Sequence, residues 1–92
     1  MANEPLVFRV HAIDRMAQRS INVEDVRRVL DAGEVIEDYP SDFPYLTALM
    51  PGLIGERPLH VVVATAPDLR IIITVYEPDL SRWESDFKRR KP

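Results

Sequence analysis

Two apolar segments in the second half of the chain dominate its hydrophobic pattern. Residues 59–66 and 70–76 are apolar at nearly every position and rich in β-branched side chains, and only residues 67–69 separate them. Both are too short to span a membrane and are bounded by proline, so the pattern predicts two neighbouring strands of an antiparallel hairpin. Because polar residues do not alternate with the apolar ones, we expect protein to cover both faces of this hairpin.

The first third of the chain has helical periodicity in two places. Residues 11–19 predict an amphipathic helix, and a second helix is predicted after Asn22, which can form a capping box with Asp25. Gly33 stands where a left-handed C-cap would end that helix. The expected apolar faces contain Ala12, Ile13, Met16 and Ala17 in the first helix and Val23, Val26, Val29 and Leu30 in the second.

Strand signals recur between the second helix and the hairpin. Residues 34–39 predict a strand that ends at Pro40 and a loop at residues 41–44, and residues 45–50 predict another strand. Pro51 and Gly52 are a strong turn signal, as are residues 55–58, so residues 53–54 are expected to be a short crossing piece. Together with the hairpin this makes four strands.

The C-terminal segment carries two aromatic residues and a basic run. Residues 81–87 predict one or two helical turns, in which Trp83 and Phe87 are four apart and pack together onto the sheet. Residues 88–91 are expected to fray. The predicted fold class is therefore α+β, a single domain of residues 1–92. Its two N-terminal helices pack on one face of a four-stranded antiparallel sheet, and a short C-terminal helix or turn lies against the other side or edge.

Composition narrows the class of protein. The 92 residues are 46% hydrophobic and 29% charged, which is typical of a small globular domain with room for one core. The absence of cysteine excludes disulfides and thiolate metal sites. The first residues have neither the basic start nor the apolar run of a signal peptide, so we expect a cytoplasmic protein without membrane contact.

Charge directs attention to arginine. The net charge of −3 argues against indiscriminate nucleic-acid binding, yet ten of the 12 cationic residues are arginine, whose planar guanidinium suits phosphate and carboxylate. His11, Arg15 and Arg19 are spaced i, i+4, i+8 on the first predicted helix. They fall within an arc of about 80°, a ridge that could hold a phosphate. The polar residues inside the apolar strands are His60, Thr74 and Tyr76.

Several of these segments resemble one family along most of the chain. They are the helix that contains His11, Arg15 and Arg19, the segment of residues 33–40, residues 57–63, and residues 73–78 with Trp83 behind them. Taken together they resemble the small prokaryotic domain-of-unknown-function (DUF) family 4258. The resemblance implies a fold similar to the RelE-like (barnase/colicin/RelE-type) ribonuclease toxins, and relatives encoded beside an antitoxin.

A metal-independent endoribonuclease needs an acid, a base and cations on the phosphate. We hypothesise that His11 and His60 share the acid–base chemistry and that Tyr76 donates a hydrogen bond or a proton. Arg15 and Arg57 would grip the phosphate. Arg19 and Thr74 would also bind the RNA or its phosphate. Neither a cofactor nor a metal ion is expected. The two histidines are far apart in the sequence and have no cysteine partner, which argues against a metal site, and there is no Gly-rich phosphate loop. The expected partners are an RNA substrate and an antitoxin protein.

Each of these residues also has a structural interpretation. His60 can be a buried histidine bonded to a neighbouring backbone group, and His11 can complete a helix terminus. Arg15 and Arg19 can form ion pairs, while Thr74 and Tyr76 can be ordinary strand residues. The chain would then be a non-catalytic module that binds a protein or forms a homodimer. An enzyme should bring His11, Arg15, His60 and Tyr76 into one open cleft, whereas a binding module should bury His60 and expose an apolar patch.

Overall fold

The computed structural model describes residues 4–39 and 45–92, and within them it contains two helices and one mixed sheet of five strands. The loop predicted at residues 40–44 lies outside the described residues. In chain order the elements are β1 (Leu6–Phe8), α1 (Val10–Arg19), α2 (Val23–Ala32), β2 (Glu37–Tyr39), β3 (Leu46–Ile54), β4 (Arg57–Thr65) and β5 (Arg70–Tyr76). The α+β class is confirmed.

The predicted hairpin of β4 and β5 lies at the middle of the sheet, whose strand order is β1-β5-β4-β3-β2. The two strands are antiparallel, and His60 lies opposite Tyr76. Their register shifts by one residue because Ile73 is bulged between the pairs Val62 with Thr74 and Val63 with Ile72. The bulge lets Ile72 and Val75, three residues apart, both enter the core beneath the helices.

The four-stranded antiparallel sheet predicted from the sequence is wrong, because β1 is a fifth strand and pairs in parallel with β5. Three residues are too few to show a strand pattern, so the periodicity gave no signal for β1. Its pairing extends only from Leu6 opposite Arg70 to Phe8 opposite Ile72. Within residues 4–39 and 45–92, no strand pairs with the second half of β5 on that side, and α1 contacts β5.

The turn predicted at Pro51 and Gly52 is also wrong, because β3 continues through both residues to Ile54. Pro51 lies opposite His60 in β4, whereas on the other side β2 pairs only with residues 47–49. Pro51 therefore lies where β3 is an edge strand and no ladder bond needs its missing N–H. A Cβ on Gly52 would lie 2.7 Å from Cγ2 of Val29, so glycine allows α2 to approach the sheet closely.

The two helices begin and end close to the predicted residues. The capping box between Asn22 and Asp25 is confirmed, and Gly33 ends α2 with a φ of 73°. Of the predicted apolar faces, Ile13, Ala17 and Val23 are exposed. The remaining members pack with strand residues into one core: Ala12, Met16, Val26, Val29 and Leu30.

The C-terminal segment, residues 79–92, forms turns rather than a helix. The fraying predicted for residues 88–91 is not seen as far as Arg90, which is held in a β-bridge. Trp83 and Arg90 form an isolated antiparallel bridge, and the Lys91 N–H donates to the Arg82 carbonyl. Lys88 pairs with Glu34 at 3.0 Å. Trp83 is buried against His60, on the sheet face opposite the helices, since His60 alternates with the core residues Leu59 and Val61. In the described residues no helix is long and apolar enough to cross a membrane.

Candidate functional site

An open cleft of about 450 Å³ lies beyond the end of β1, along the edge of β5 that faces away from β4. Three separate segments form it: the N-terminal half of α1, the end of β5 and the C-terminal segment. Four of the site residues predicted from the sequence line it: His11, Arg15, Thr74 and Tyr76. Five residues that were not predicted complete the lining: Glu77, Asp79, Arg82, Trp83 and Arg90.

The positive charge of the cleft is concentrated on two arginines. Within residues 4–39 and 45–92, the side chains of Arg15 and Arg82 form no salt bridge and no hydrogen bond. The two carboxylates of the lining already have partners. Glu77 pairs with Arg57. Asp79 accepts hydrogen bonds from the hydroxyl and the backbone N–H of Ser81, and these bonds, with a smaller effect of the Arg82 charge, lower the pKa of Asp79. Arg15 and Arg82 are therefore the cations that the cleft can offer to an anion.

His60 lies beneath the cleft and has no exposed surface. Its ring contacts Trp83 edge-on at a centroid distance of 4.6 Å and Tyr76 at 5.2 Å. Nε2 is 2.7 Å from the carbonyl oxygen of Phe87, and Nδ1 is 3.1 Å from the hydroxyl oxygen of Tyr76. His60 therefore does not line the cleft itself but contacts two residues that do, Tyr76 and Trp83. This is the geometry expected of a buried histidine bonded to a neighbouring backbone group.

Burial determines the protonation of this pair. Desolvation lowers the pKa of His60 below 6.5, against the opposing effects of the Phe87 carbonyl and the charge of Glu37. Desolvation also raises the pKa of Tyr76 above 10.0. At neutral pH the imidazole is thus neutral and the phenol keeps its proton.

Arg90 forms one wall of the cleft and attaches the C-terminal segment to β2. Its guanidinium donates two hydrogen bonds to Glu37, at 2.5 and 3.1 Å, and lies 4.6 Å from the centroid of the Trp83 ring. The bond to Arg90 lowers the pKa of Glu37, while burial and a 2.8 Å bond to Glu37 raise the pKa of Tyr39 to about 12. The sequence predicted a frayed tail at Arg90, because nothing local relates this residue to Glu37, 53 positions earlier.

The structure places Arg57 and Arg19 outside the lining of the cleft. The guanidinium of Arg57 bonds Glu77 and the backbone carbonyls of Arg19 and Ser20. Arg57 thereby joins β4 to the end of α1 and to the residue after β5. The ridge predicted on α1 contributes only its first two members, His11 and Arg15, to the cleft.

A second cavity of about 420 Å³ lies on the other side of the C-terminal segment. Its lining is largely apolar, with Pro51, Leu53, Pro58 and Phe87, and its charged residues include the paired Glu34 and Lys88. His60 and Asp86 also line this cavity, but both His60 nitrogens are bonded and Asp86 pairs with Arg89. Because no unpaired cation of the described residues lines it, we place the candidate site in the cleft. In the described part of the chain, no three His, Cys, Asp or Glu residues are grouped so that they could hold a metal ion.

Comparison with known proteins identifies one family. The family described as "Domain of unknown function (DUF4258)" matches residues 8–77. Searches of the curated proteins and of the solved structures found no significant match, and none of the comparisons relates the chain to the RelE-like ribonucleases. The match includes the part of the cleft contributed by α1 and β5, whereas Asp79, Arg82, Trp83 and Arg90 follow it in the sequence.

Proposed function

The chain belongs to the DUF4258 family, whose description assigns no function, and we propose that it is a metal-independent endoribonuclease whose site is the cleft. One observation carries the proposal. One open and polar cleft is lined by His11, Arg15, Thr74 and Tyr76, together with Arg82. The first and the last of the four predicted residues are more than 60 positions apart in the sequence. A titratable imidazole, unpaired guanidinium groups and hydroxyls are the groups that phosphodiester cleavage without a metal requires.

Arg15 and Arg82 bind the scissile phosphate in this proposal. A guanidinium presents two N–H donors in the geometry of a phosphate, and it stays charged at every physiological pH. The two arginines approach the cleft from different elements, α1 and the C-terminal segment, so a phosphate between them would be held from two sides. Arg57 and Arg19 have no part in this contact, since neither lines the cleft.

His11 transfers the proton. It accepts the proton of the ribose 2′-hydroxyl as that oxygen attacks phosphorus, and the bond from phosphorus to the 5′-oxygen breaks. The leaving 5′-oxygen takes a proton from water, which reaches the open cleft, and the products are a 2′,3′-cyclic phosphate and a 5′-hydroxyl. His11 is exposed on the first turn of α1 and can exchange its proton with solvent.

The experiment is cleavage of a labelled RNA by the purified chain in the presence of a chelator, with the ends of the fragments identified by mass spectrometry. We expect fragments with a 2′,3′-cyclic phosphate. His11→Ala should lower the rate by about a hundredfold or more, the usual contribution of an acid–base group, and Arg15→Ala by a similar factor.

The matched control is Arg28→Ala, which removes the same charge from an exposed position on α2 outside the cleft. It should leave the rate unchanged, and circular dichroism should show that all variants are folded. RNA that stays intact with the wild type, or cleavage that His11→Ala does not slow, would refute the proposal.

A non-catalytic binding module is the second candidate, because two observations favour it. His60 is fully buried, and Val10 and Ile13, one turn apart on the outer surface of α1, are 74% and 52% exposed. Such a module would form a homodimer or bind a protein partner through apolar surface. An antitoxin is the partner proposed if the chain is a ribonuclease, and it would cover His11 and Arg15. In the cleavage experiment a binding module would leave RNA intact at every protein concentration.

A further inference from the structure

A chain of two hydrogen bonds connects a backbone carbonyl group to Tyr76, a residue of the cleft lining. It begins at the carbonyl oxygen of Phe87, passes through both nitrogens of the His60 ring and ends at the hydroxyl of Tyr76, which lines the cleft. The two bonds are 2.7 and 3.1 Å long, and His60 is shielded from solvent throughout. The direction of these bonds follows from what each partner can donate or accept.

The Phe87 carbonyl decides that direction. A carbonyl oxygen only accepts, so Nε2 of His60 must carry a proton and donate it. Burial keeps the ring neutral at physiological pH, and a neutral imidazole has a single N–H, so Nδ1 is an acceptor. The Tyr76 hydroxyl must then donate its only proton to Nδ1. Its oxygen can only accept from any other group.

From this polarity we infer that the cleft recognises RNA in preference to DNA, with Tyr76 accepting a hydrogen bond from the 2′-hydroxyl of the ribose that carries the leaving 5′-oxygen. The attacking 2′-hydroxyl belongs to the other ribose, and its proton passes to His11. The inference rests on the proposed function, since it specifies the sugar of the nucleic acid that the cleft binds. It reverses the donor role expected of Tyr76 from the sequence. His60 is accordingly a positioning residue, which acts by holding the Tyr76 proton away from the ligand.

The other polar groups of the lining do not make this distinction. The Thr74 hydroxyl can donate as well as accept, and the guanidinium groups of Arg15 and Arg82 only donate, so they bind a phosphate with either sugar. The two carboxylates of the lining only accept, but they are already bonded, Glu77 to Arg57 and Asp79 to Ser81. A 2′-hydroxyl is the donor that RNA has and DNA lacks. Tyr76 is thus the residue of the cleft whose bonding matches the difference between the two.

The test measures binding of the full chain to oligonucleotides of one sequence with three different sugars, by fluorescence anisotropy. The sugars are 2′-deoxy, 2′-fluoro and 2′-amino, none of which provides the attacking 2′-oxygen. Only the 2′-amino group can donate a hydrogen bond, whereas 2′-fluoro has the pucker of ribose without a donor. We expect the 2′-amino strand to bind about tenfold more tightly than the other two, the factor that one hydrogen bond of ordinary strength supplies.

Tyr76→Phe should abolish the advantage of the 2′-amino strand without weakening the other two strands, while Arg15→Ala should weaken all three equally. Nitrogen chemical shifts of the wild-type His60 ring should show the proton on Nε2, a measurement that needs no variant to fold.

Equal binding of the three strands, an advantage that survives Tyr76→Phe, or a proton on Nδ1 would overturn the inference. Cleavage that depends on His11 and Arg15 would still stand after each of these results. A chain that binds none of the strands and leaves RNA intact would instead overturn the proposed function, and this inference with it.

Discussion

At the scale of single residues, His60 shows how burial converts a titratable group into a fixed one. Its ring is closed off by Trp83 and Tyr76, and both nitrogens are occupied. The charged groups nearest to it, Glu37 and Arg90, are paired with each other and have opposing effects on the His60 pKa. Desolvation prevails and favours the neutral ring, so protonation of His60 must be linked to unfolding.

The linkage predicts how stability depends on pH. In the unfolded chain His60 has a pKa near 6.5 and in the folded chain a lower one, so the unfolded state binds more protons between these two values. The free energy of unfolding should therefore be highest above about pH 7 and decrease as the pH falls below 6.5. Urea titrations at a series of pH values measure this decrease.

The control for this prediction compares the two histidines of the chain. A His60→Gln variant should lose the decrease that begins below pH 6.5, whereas His11→Gln, altered at an exposed position, should keep it. Glu37, whose pKa is lowered below 4.5 by Arg90, contributes a separate loss of stability only in more acidic solution. A wild-type stability profile that stays flat from about pH 8 to about pH 5 would contradict the assignment.

At the scale of elements, the contact between α2 and β3 explains why a proline–glycine pair stands inside a strand. Pro51 and Gly52 usually mark a turn, but here the ladder with β4 continues through both, with Gly52 opposite Leu59. The helix supplies the reason, since Val29 occupies the space that a side chain at position 52 would need. Packing between two elements has overridden the local preference of the backbone.

Gly52→Ala should consequently destabilise the fold by about 1–3 kcal/mol, the usual cost of overpacking a core. The cause would be the contact of 2.7 Å between the new Cβ and Cγ2 of Val29. A double-mutant cycle with Val29→Ala measures this coupling by urea unfolding. The double variant should be more stable than the sum of the two single effects predicts, because Val29→Ala makes room for the new methyl group. Strict additivity would show that the methyl group is accommodated in another way.

At the scale of the whole molecule, the C-terminal segment packs on the sheet and supplies part of the cleft lining. It packs Trp83 against His60, and it provides Asp79, Arg82 and Arg90 to the lining. Its attachment is the pair of Arg90 with Glu37 and the stacking of the same guanidinium on Trp83. These contacts join the last residues of the chain to β2, at the far edge of the sheet from β1.

Arg90→Ala should destabilise the protein by about 1 kcal/mol, the combined value of a partly exposed ion pair and a cation–π contact. It should also speed amide hydrogen exchange at Lys91, whose N–H donates to Arg82 within the segment. Arg89→Ala is the matched control, because Arg89 pairs only locally with Asp86 and its side chain is mostly exposed. Equal effects of the two substitutions would show that Arg90 does not attach the segment.

What the sequence by itself determined is the local structure. The capping box at Asn22, the left-handed cap at Gly33 and the hairpin of β4 and β5 all depend on residues close in the chain, and all are confirmed. The α+β class followed from these elements. His11, Arg15, Thr74 and Tyr76 were recognisable as candidates because each is a polar residue in an amphipathic or apolar pattern.

Only the tertiary structure decided which of these residues line one cleft. Three contacts join positions that are far apart in the sequence, so no local pattern encodes them. They are the pairing of β1 with β5, the bonds of Arg90 to Glu37 and the bond of His60 to Phe87. The burial of His60 and the bonding of Arg57 follow from the same contacts. The cleft and the direction of the Tyr76 hydrogen bond depend on contacts between distant parts of the chain. Those contacts form because packing over the whole molecule favours them.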